Sequence, residues 1–249
     1  MYHFFIDESQ KEQAKKTGEI EITGADVNHI KNVLRMRIGE KISISDGCNQ
    51  EYHCGIREIQ EDRISCKVLC SEEAYKELPS HIYLFQGLPK GDKMEFIIQK
   101  AVELGVYGII PMKTDRAIVK LDSKKEETKR KRWAAIAESA AKQSGRTVIP
   151  EIYPVMNFKE AVKFGKEFEF PLIPYELAEE MGDTKKILSE IKDGVKVGIY
   201  IGPEGGFEKE EISYAIEQGC KAITLGKRIL RTETAGMALL SILMFQLEK

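Results

Sequence analysis

The sequence predicts an α/β protein: a mostly parallel sheet with helices on both faces, preceded by a smaller β-rich domain. Three observations carry this. From His81 onward, short apolar strands alternate with amphipathic helices, the grammar of an open parallel sheet. Among them FPLIPY, VKVGIYI and AITLG are continuously apolar, as strands covered on both faces are. The first 75 residues read differently. They hold short strands with period-two alternation, separated by turn pairs such as Asp46-Gly47.

In order along the chain, HFFI, EIEITG, KISISDG, QEYHCGIREIQ and RISCKVLC are the strands of that first domain, a small β-barrel. One helical segment, ADVNHIKNVLRM, interrupts them, with Val27, Ile30, Val33 and Leu34 on one stripe. The polar EEAYKELPSH, ending near a proline, is the linker, and the domains are drawn at 1–72 and 73–249. HIYLFQGL opens the second. GDKMEFIIQKAVELG is a helix that buries Met94, Ile97, Ile98, Ala101 and Leu104, and VYGIIPM is the next strand. Ser123 with Glu126 reads as a capping box for a helix striped by Trp133, Ile136, Ala137, Ala140 and Ala141; Asn157 with Glu160 repeats the device. The last helix, ETAGMALLSILMFQLEK, is apolar enough to require cover from the sheet or a partner subunit.

Composition narrows the function classes. No run approaches the length of a membrane span, and MYHFFIDESQ turns acidic before a signal-peptide core forms, so a soluble, cytoplasmic protein is expected. The five cysteines include no CxxC pair, and no metal site is expected. The net charge of −2 is unevenly spread: residues 90–146 hold 14 basic and 8 acidic groups, residues 147–249 hold 13 and 17. The middle segment would face an anionic partner, or be a solvated helix face of mixed sign.

The chemistry concentrates in two loops. YIGPEGGFEKEE places Gly202, Gly205 and Gly206 at the carboxyl end of a buried strand, where ligands of parallel sheets bind. It is neither a P-loop nor a GxGxxG turn, and Glu204, Glu208, Glu210 and Glu211 oppose a polyphosphate while suiting a ligand with positive character. Alone it could be a capped strand-to-helix turn. After the next strand, however, comes LGKRILRTETAG, with a second glycine, three basic residues and a helix start, and Pro174 follows a third strand. Special loops after neighbouring strands make a site. The four histidines, at 3, 29, 53 and 81, all precede these loops, so a histidine base is not expected.

GPEGGF together with LGKRILRTETA resembles the signature pair of the SPOUT methyltransferases, whose C-terminal chain forms a trefoil knot around S-adenosylmethionine. With HIKNVLRMRIGE, KGDKMEFIIQKAVELGV and AAKQSGR, the whole chain resembles the RsmE family, the 16S rRNA (uracil-1498-N3)-methyltransferases, with an N-terminal PUA-like barrel for RNA. The resemblance implies a donor pocket formed by Leu172, Pro174, Glu176, Ile201, Gly202, Pro203, Gly205, Gly206, Leu225, Gly226, Leu230, Thr234 and Ala235. It implies Arg231 as stabiliser of the developing uracil anion, and Glu204 as pocket wall or base. Arg35, Arg37, Arg116, Arg132 and Arg146 are the candidate phosphate contacts. A homodimer acting on 16S rRNA or the small ribosomal subunit follows from the same resemblance. A non-catalytic RNA-binding assembly protein, or a SPOUT enzyme acting on another RNA, stays open.

Overall fold

A computed structural model describes residues 1–119, 121–175 and 181–248. The chain divides into two compact units, one of residues 1–77 with 141–149, the other of residues 78–140 with 150–249. The return of 141–149 to the first unit is not visible in the pattern of strands, and its cause is a side chain. Glu77 accepts hydrogen bonds from the backbone N–H groups of Thr147 (2.9 Å) and Val148 (3.1 Å) and from Arg146 Nε (3.0 Å). Lys142 meets Asp26 at 2.8 Å, and Ser45 donates to the Thr147 carbonyl at 2.8 Å.

The first unit is a five-stranded sheet in the order β1-β3-β4-β5-β2, made of β1 (Tyr2–Phe5), β2 (Glu19–Thr23), β3 (Lys41–Ser45), β4 (Gln50–Ile59) and β5 (Arg63–Glu73). Only β1 and β3 run parallel. Alternation along the strands sends Ile20, Ile22, Ile42, Ile44, Cys54, Ile56, Ile64 and Cys66 to one core. The sequence reading passes over α1 (Glu8–Thr17), whose charged composition hides a complete capping box between Asp7 and Gln10. The expected helix over ADVNHIKNVLRM is shorter: α2 spans Ala25–Asn28 and gives way to a π-turn over His29–Val33. It buries Val27 and Ile30 but leaves Val33 exposed.

The second unit is a parallel sheet in the order β12-β10-β11-β6-β7-β8, with β9 also pairing with β7. The chain runs β6 (His81–Gly87), α3 (Lys93–Glu103), β7 (Gly108–Lys113), α4 (Ser123–Ser144), β8 (Glu151–Ile152), β9 (Met156–Asn157) and α5 (Phe158–Phe164). Next come β10 (Phe170–Pro174), α6 (Met181–Ser189), β11 (Lys196–Ile201), α7 (Lys209–Glu217), β12 (Lys221–Ile223) and α8 (Thr232–Leu247). Period-two alternation in β6 splits the core into two layers. Tyr83 and Phe85 join Phe158, Ala161, Val162, Tyr200, Ile212 and Ala215 in the layer beneath α5 and α7, where Phe85 stacks on Tyr200 at 4.2 Å. On the other face α3 and α8 pack together, and Gly236 lies within contact of Leu84 and Ile201. Filling that layer with Ile97, Ile98, Leu239, Leu240 and Leu243, all but fully buried, contributes on the order of 1.5–3 kcal/mol per side chain.

The two expected capping boxes meet different fates. Asn157 and Glu160 form theirs completely. At α4 it is Asp122, not Ser123, that accepts the Lys125 N–H at 2.8 Å, while Glu126 reaches away to the Val155 N–H and to Lys113. A carboxylate one residue earlier displaces the serine because it is the stronger acceptor.

Candidate active site

The sheet order sets β12, β10 and β11 side by side, so their carboxyl ends, at Ile223, Pro174 and Ile201, open on one edge. Together with the loops that follow they line a cleft of about 760 Å³. Of the residues expected at a donor pocket, Pro174, Ile201, Gly202, Pro203, Gly205, Gly206, Leu225, Gly226, Leu230 and Ala235 line it, as do Glu204 and Arg231. Leu172 lies deeper in β10, fully buried in register with Ile199 and Lys221, and is not among the lining residues. Thr234 is exposed and is not among the lining residues, whereas Thr232 is. Glu176 lies outside the described residues.

The glycines serve geometry. A Cβ on Gly202 would stand 2.9 Å from the Gly206 backbone, so the β11 loop closes on itself only without one. Gly206 sits at φ 68° and turns back to hydrogen-bond the Pro203 carbonyl at 2.9 Å. The close neighbour of Gly205 is Arg116, 3.2 Å from where a Cβ would be.

A buried relay fixes the far side. Gln86, wholly buried at the end of β6, donates from Nε2 to Thr232 Oγ1 at 2.9 Å, and Thr232 donates to the Gly202 carbonyl at 2.6 Å. Gln86 Oε1 has no hydrogen-bond partner among the described residues. The first residue of α8 is thus tied to the glycine loop, and Arg231, its N-cap, emerges at the cleft mouth.

The charges are arranged otherwise than sequence neighbours suggest. Lys93 at the start of α3 reaches Glu204 (3.1 Å) and Glu233 (3.5 Å), and Glu204 also accepts the Lys90 N–H at 3.2 Å. Arg116 donates to the Gly205 carbonyl (2.9 Å) and pairs with Glu208 (2.8 Å). Burial pushes the Glu204 carboxyl up, but its own backbone N–H, Lys93 and the Lys90 N–H outweigh this and hold it below the ordinary carboxylate range. Glu211, by contrast, is raised by burial, yet it is occupied as a cap: its oxygens accept the Asp115 and Glu208 N–H groups at 3.1 and 2.9 Å. The expected acidic rim is therefore neutralised by two cations contributed from other loops. Lys227, Arg228 and Arg231 make no ion pair with any described residue, so the rim carries three cations without a described carboxylate partner.

The candidate phosphate contacts separate likewise. Arg35 and Arg37 are exposed on the first unit, Arg35 at φ 54°. Arg132 pairs with Glu95 at 2.8 Å, and Arg116 belongs to the cleft. Arg146 is 6% exposed and bound by Glu77, a structural residue rather than a phosphate contact. The sequence reading missed Gln86, Lys93 and Thr232. Only Thr232 carried a signal, as a hydroxyl opening a helix.

The cleft suits a nucleoside-sized ligand. Its volume is that of a small-ligand site, and its inner wall is backbone with Ile201, Leu225, Leu230 and Ala235.

Comparison with known proteins gives the same direction. Residues 76–244 match the family model of the RNA methyltransferase domain and residues 22–69 that of the RNA methyltransferase PUA domain. The chain is 38% identical over 251 residues to the ribosomal RNA small subunit methyltransferase E of Bacillus subtilis, covering 100% of this chain and 98% of that one. Its structure resembles the enzyme of that name from Neisseria gonorrhoeae bound to S-adenosyl methionine, at 30% identity and a TM-score of 0.83, covering 99% and 98% of the two chains. A putative methyltransferase from Legionella pneumophila in complex with the same cofactor is similar at 32% identity and a TM-score of 0.82, with 92% of each chain covered.

Proposed function

Because the chain belongs to the ribosomal RNA small subunit methyltransferase E family, we propose that it methylates small-subunit ribosomal RNA with S-adenosylmethionine, at N3 of a uridine, the uracil-1498 position by family resemblance. The observation that carries this is the cleft at the ends of β10, β11 and β12, with its self-closing glycine loop and an arginine at its mouth that pairs with no carboxylate among the described residues. The donor supplies a methyl group on a positively charged sulfur. Ile201 to Gly206 with Leu225, Gly226 and Leu230 would hold it, and Thr232 fixes the loop on which it rests.

This chain's part in the chemistry is to let uracil N3 react as an anion. Negative charge then spreads to the two ring carbonyl oxygens, and the forked donors of Arg231 suit a delocalised oxyanion. Glu204 is ill-placed to take the proton: engaged by Lys93 and held below the ordinary range, it is a weak base. Its role is to clamp the start of α3 to the glycine loop. N3 lies on the Watson–Crick edge, so the target uridine must be unpaired or flipped.

The C-terminal segment is read as the trefoil knot of the SPOUT fold. Supporting this, the chain passes from edge strand β12 to a helix that is hydrogen-bonded back to Gly202 and packed over β11. A homodimer is supported by Phe245 and Ile242, exposed on α8. A ribosomal RNA substrate supports a cytoplasmic location, and no helix among the described residues is long and apolar enough to cross a membrane.

Mapping N3-methyluridine on 16S rRNA from cells lacking the protein tests the substrate: loss of one modified uridine is expected, restored by the purified protein with donor. An unchanged modification pattern would refute the assignment. Calorimetry with S-adenosylmethionine separates enzyme from non-catalytic binder, and absence of heat would favour the binder.

A further inference from the structure

We propose that the loop from Lys227 to Leu230 is the element that takes the target nucleotide out of its stack, with Lys227 and Arg228 gripping the flanking phosphates and Ile229 filling the space the base leaves. The proposal rests on methyl transfer to RNA at the cleft described above.

Three observations converge on this loop. Ile229 is 89% exposed although it lies beside a cleft, and the residues on either side of it, Arg228 and Leu230, line that cleft too. Lys227, Arg228 and Arg231 have no carboxylate partner among the described residues, while the other two cations of the same cleft, Lys93 and Arg116, are both paired. The loop is anchored at both ends. Gly226 N–H donates to Thr224 Oγ1 (3.2 Å), Thr224 N–H donates to Thr184 Oγ1 (2.9 Å), and Thr232 holds the Gly202 carbonyl (2.6 Å). Gly226 takes φ 107°, a conformation that a side chain would strain.

A fixed tip bearing one bare aliphatic side chain between unpaired cations matches a partner with regularly spaced anions and flat apolar faces. Distorted or single-stranded RNA has both, and aliphatic wedges between bases are a known means of unstacking them. An acidic protein surface would satisfy the cations but offers no reason for the wedge to border a methyl-transfer cleft. Reaching N3 offers that reason.

The test uses the full-length protein, a small-subunit rRNA fragment containing the target uridine, and 2-aminopurine placed beside that uridine to report unstacking. For Ile229→Ala we expect donor affinity by calorimetry to be unchanged and RNA affinity to stay within about threefold, with loss of most of the fluorescence rise and methylation slower by about tenfold or more. Rate should return when the target uridine is unpaired by mismatch. For Lys227→Ala with Arg228→Ala, the salt dependence of RNA binding should flatten by about 1.4 in log–log slope, two single-strand phosphate contacts. The proposal is overturned if Ile229→Ala keeps the fluorescence rise and the rate. It is equally overturned if the variant loses donor binding, which would put Ile229 over the donor, or changes the sedimentation coefficient, which would put it against a second copy. Wild-type protein that binds donor but methylates no RNA would remove the underlying reading together with this one, a result distinct from the variant's failure alone.

Discussion

Arg231 shows at residue scale how a role is made by what other residues leave undone. An ion pair with Glu204 or Glu233 would have been its ordinary fate, but Lys93 engages both carboxylates. Arg231→Ala should lower kcat by about 10²–10³ with donor affinity unchanged, the scale of one lost oxyanion donor. Arg231→Lys should recover little of it, since an ammonium lacks the fork. Pre-steady-state methyl transfer and calorimetry check the two halves. A second residue-scale expectation concerns acid. In the first unit His3 is held below its ordinary range, chiefly by burial, and Glu51 is held below its own because Lys76 at 2.6 Å and Ser43 outweigh its burial. Both folded-state values lie below the unfolded ones, so both contributions are present at neutral pH. That of His3 falls away as pH drops below the unfolded 6.5, that of Glu51 as it drops below 4.5. The melting temperature should therefore fall in two steps on acidification, and Glu51→Gln should diminish the lower step, which Asp46, held low by Lys11, also feeds. The residues legible in the sequence were those whose chemistry depends on their own loop, such as Gly202 and Arg231. Lys93 and Arg116 were not legible as cleft residues, because their partners stand 111 or 92 positions away in the chain.

At the scale of elements, the strands and helices of the second unit followed from periodicity because burial on both faces leaves a strong pattern: β6, β10 and β11 are continuous apolar runs. What periodicity could not register was α1, with a single buried residue, Ala14, among charged ones. Its only signal was the capping box. The glycine loop is the element most sensitive to change. Gly202→Ala would force a Cβ to 2.9 Å from the Gly206 backbone, which cannot yield without opening the turn. Donor affinity should fall by more than tenfold. Gly206→Ala, with open space but φ 68°, should cost only about 1 kcal/mol of local strain. Calorimetry on the pair distinguishes packing from backbone conformation.

Across the whole molecule, the charge pattern pointed to the middle segment, yet much of its positive charge is spent internally: Arg132 on Glu95, Lys142 on Asp26, Arg146 on Glu77. Among the described residues of the cleft, the cations without a carboxylate partner are Lys227, Arg228 and Arg231, in a part of the chain whose summed charge is acidic. Sums over sequence windows fail here because ion pairing is a property of folded neighbours. The apolar last helix was legible as needing cover, and its sheet-facing residues have it, while Phe245 is left 85% exposed. Equilibrium sedimentation should find a dimer, and Phe245→Asp should shift it to monomer without loss of the helical signal. A monomeric wild type would leave that aromatic without a role.

The bond from Gln86 to Thr232 spans 146 residues. The floor of the cleft therefore cannot exist until synthesis has passed the start of α8, long after the first unit and most of the sheet have emerged from the ribosome. A nascent chain of this protein can fold its first unit early but cannot close the donor cleft until α8 has begun to form.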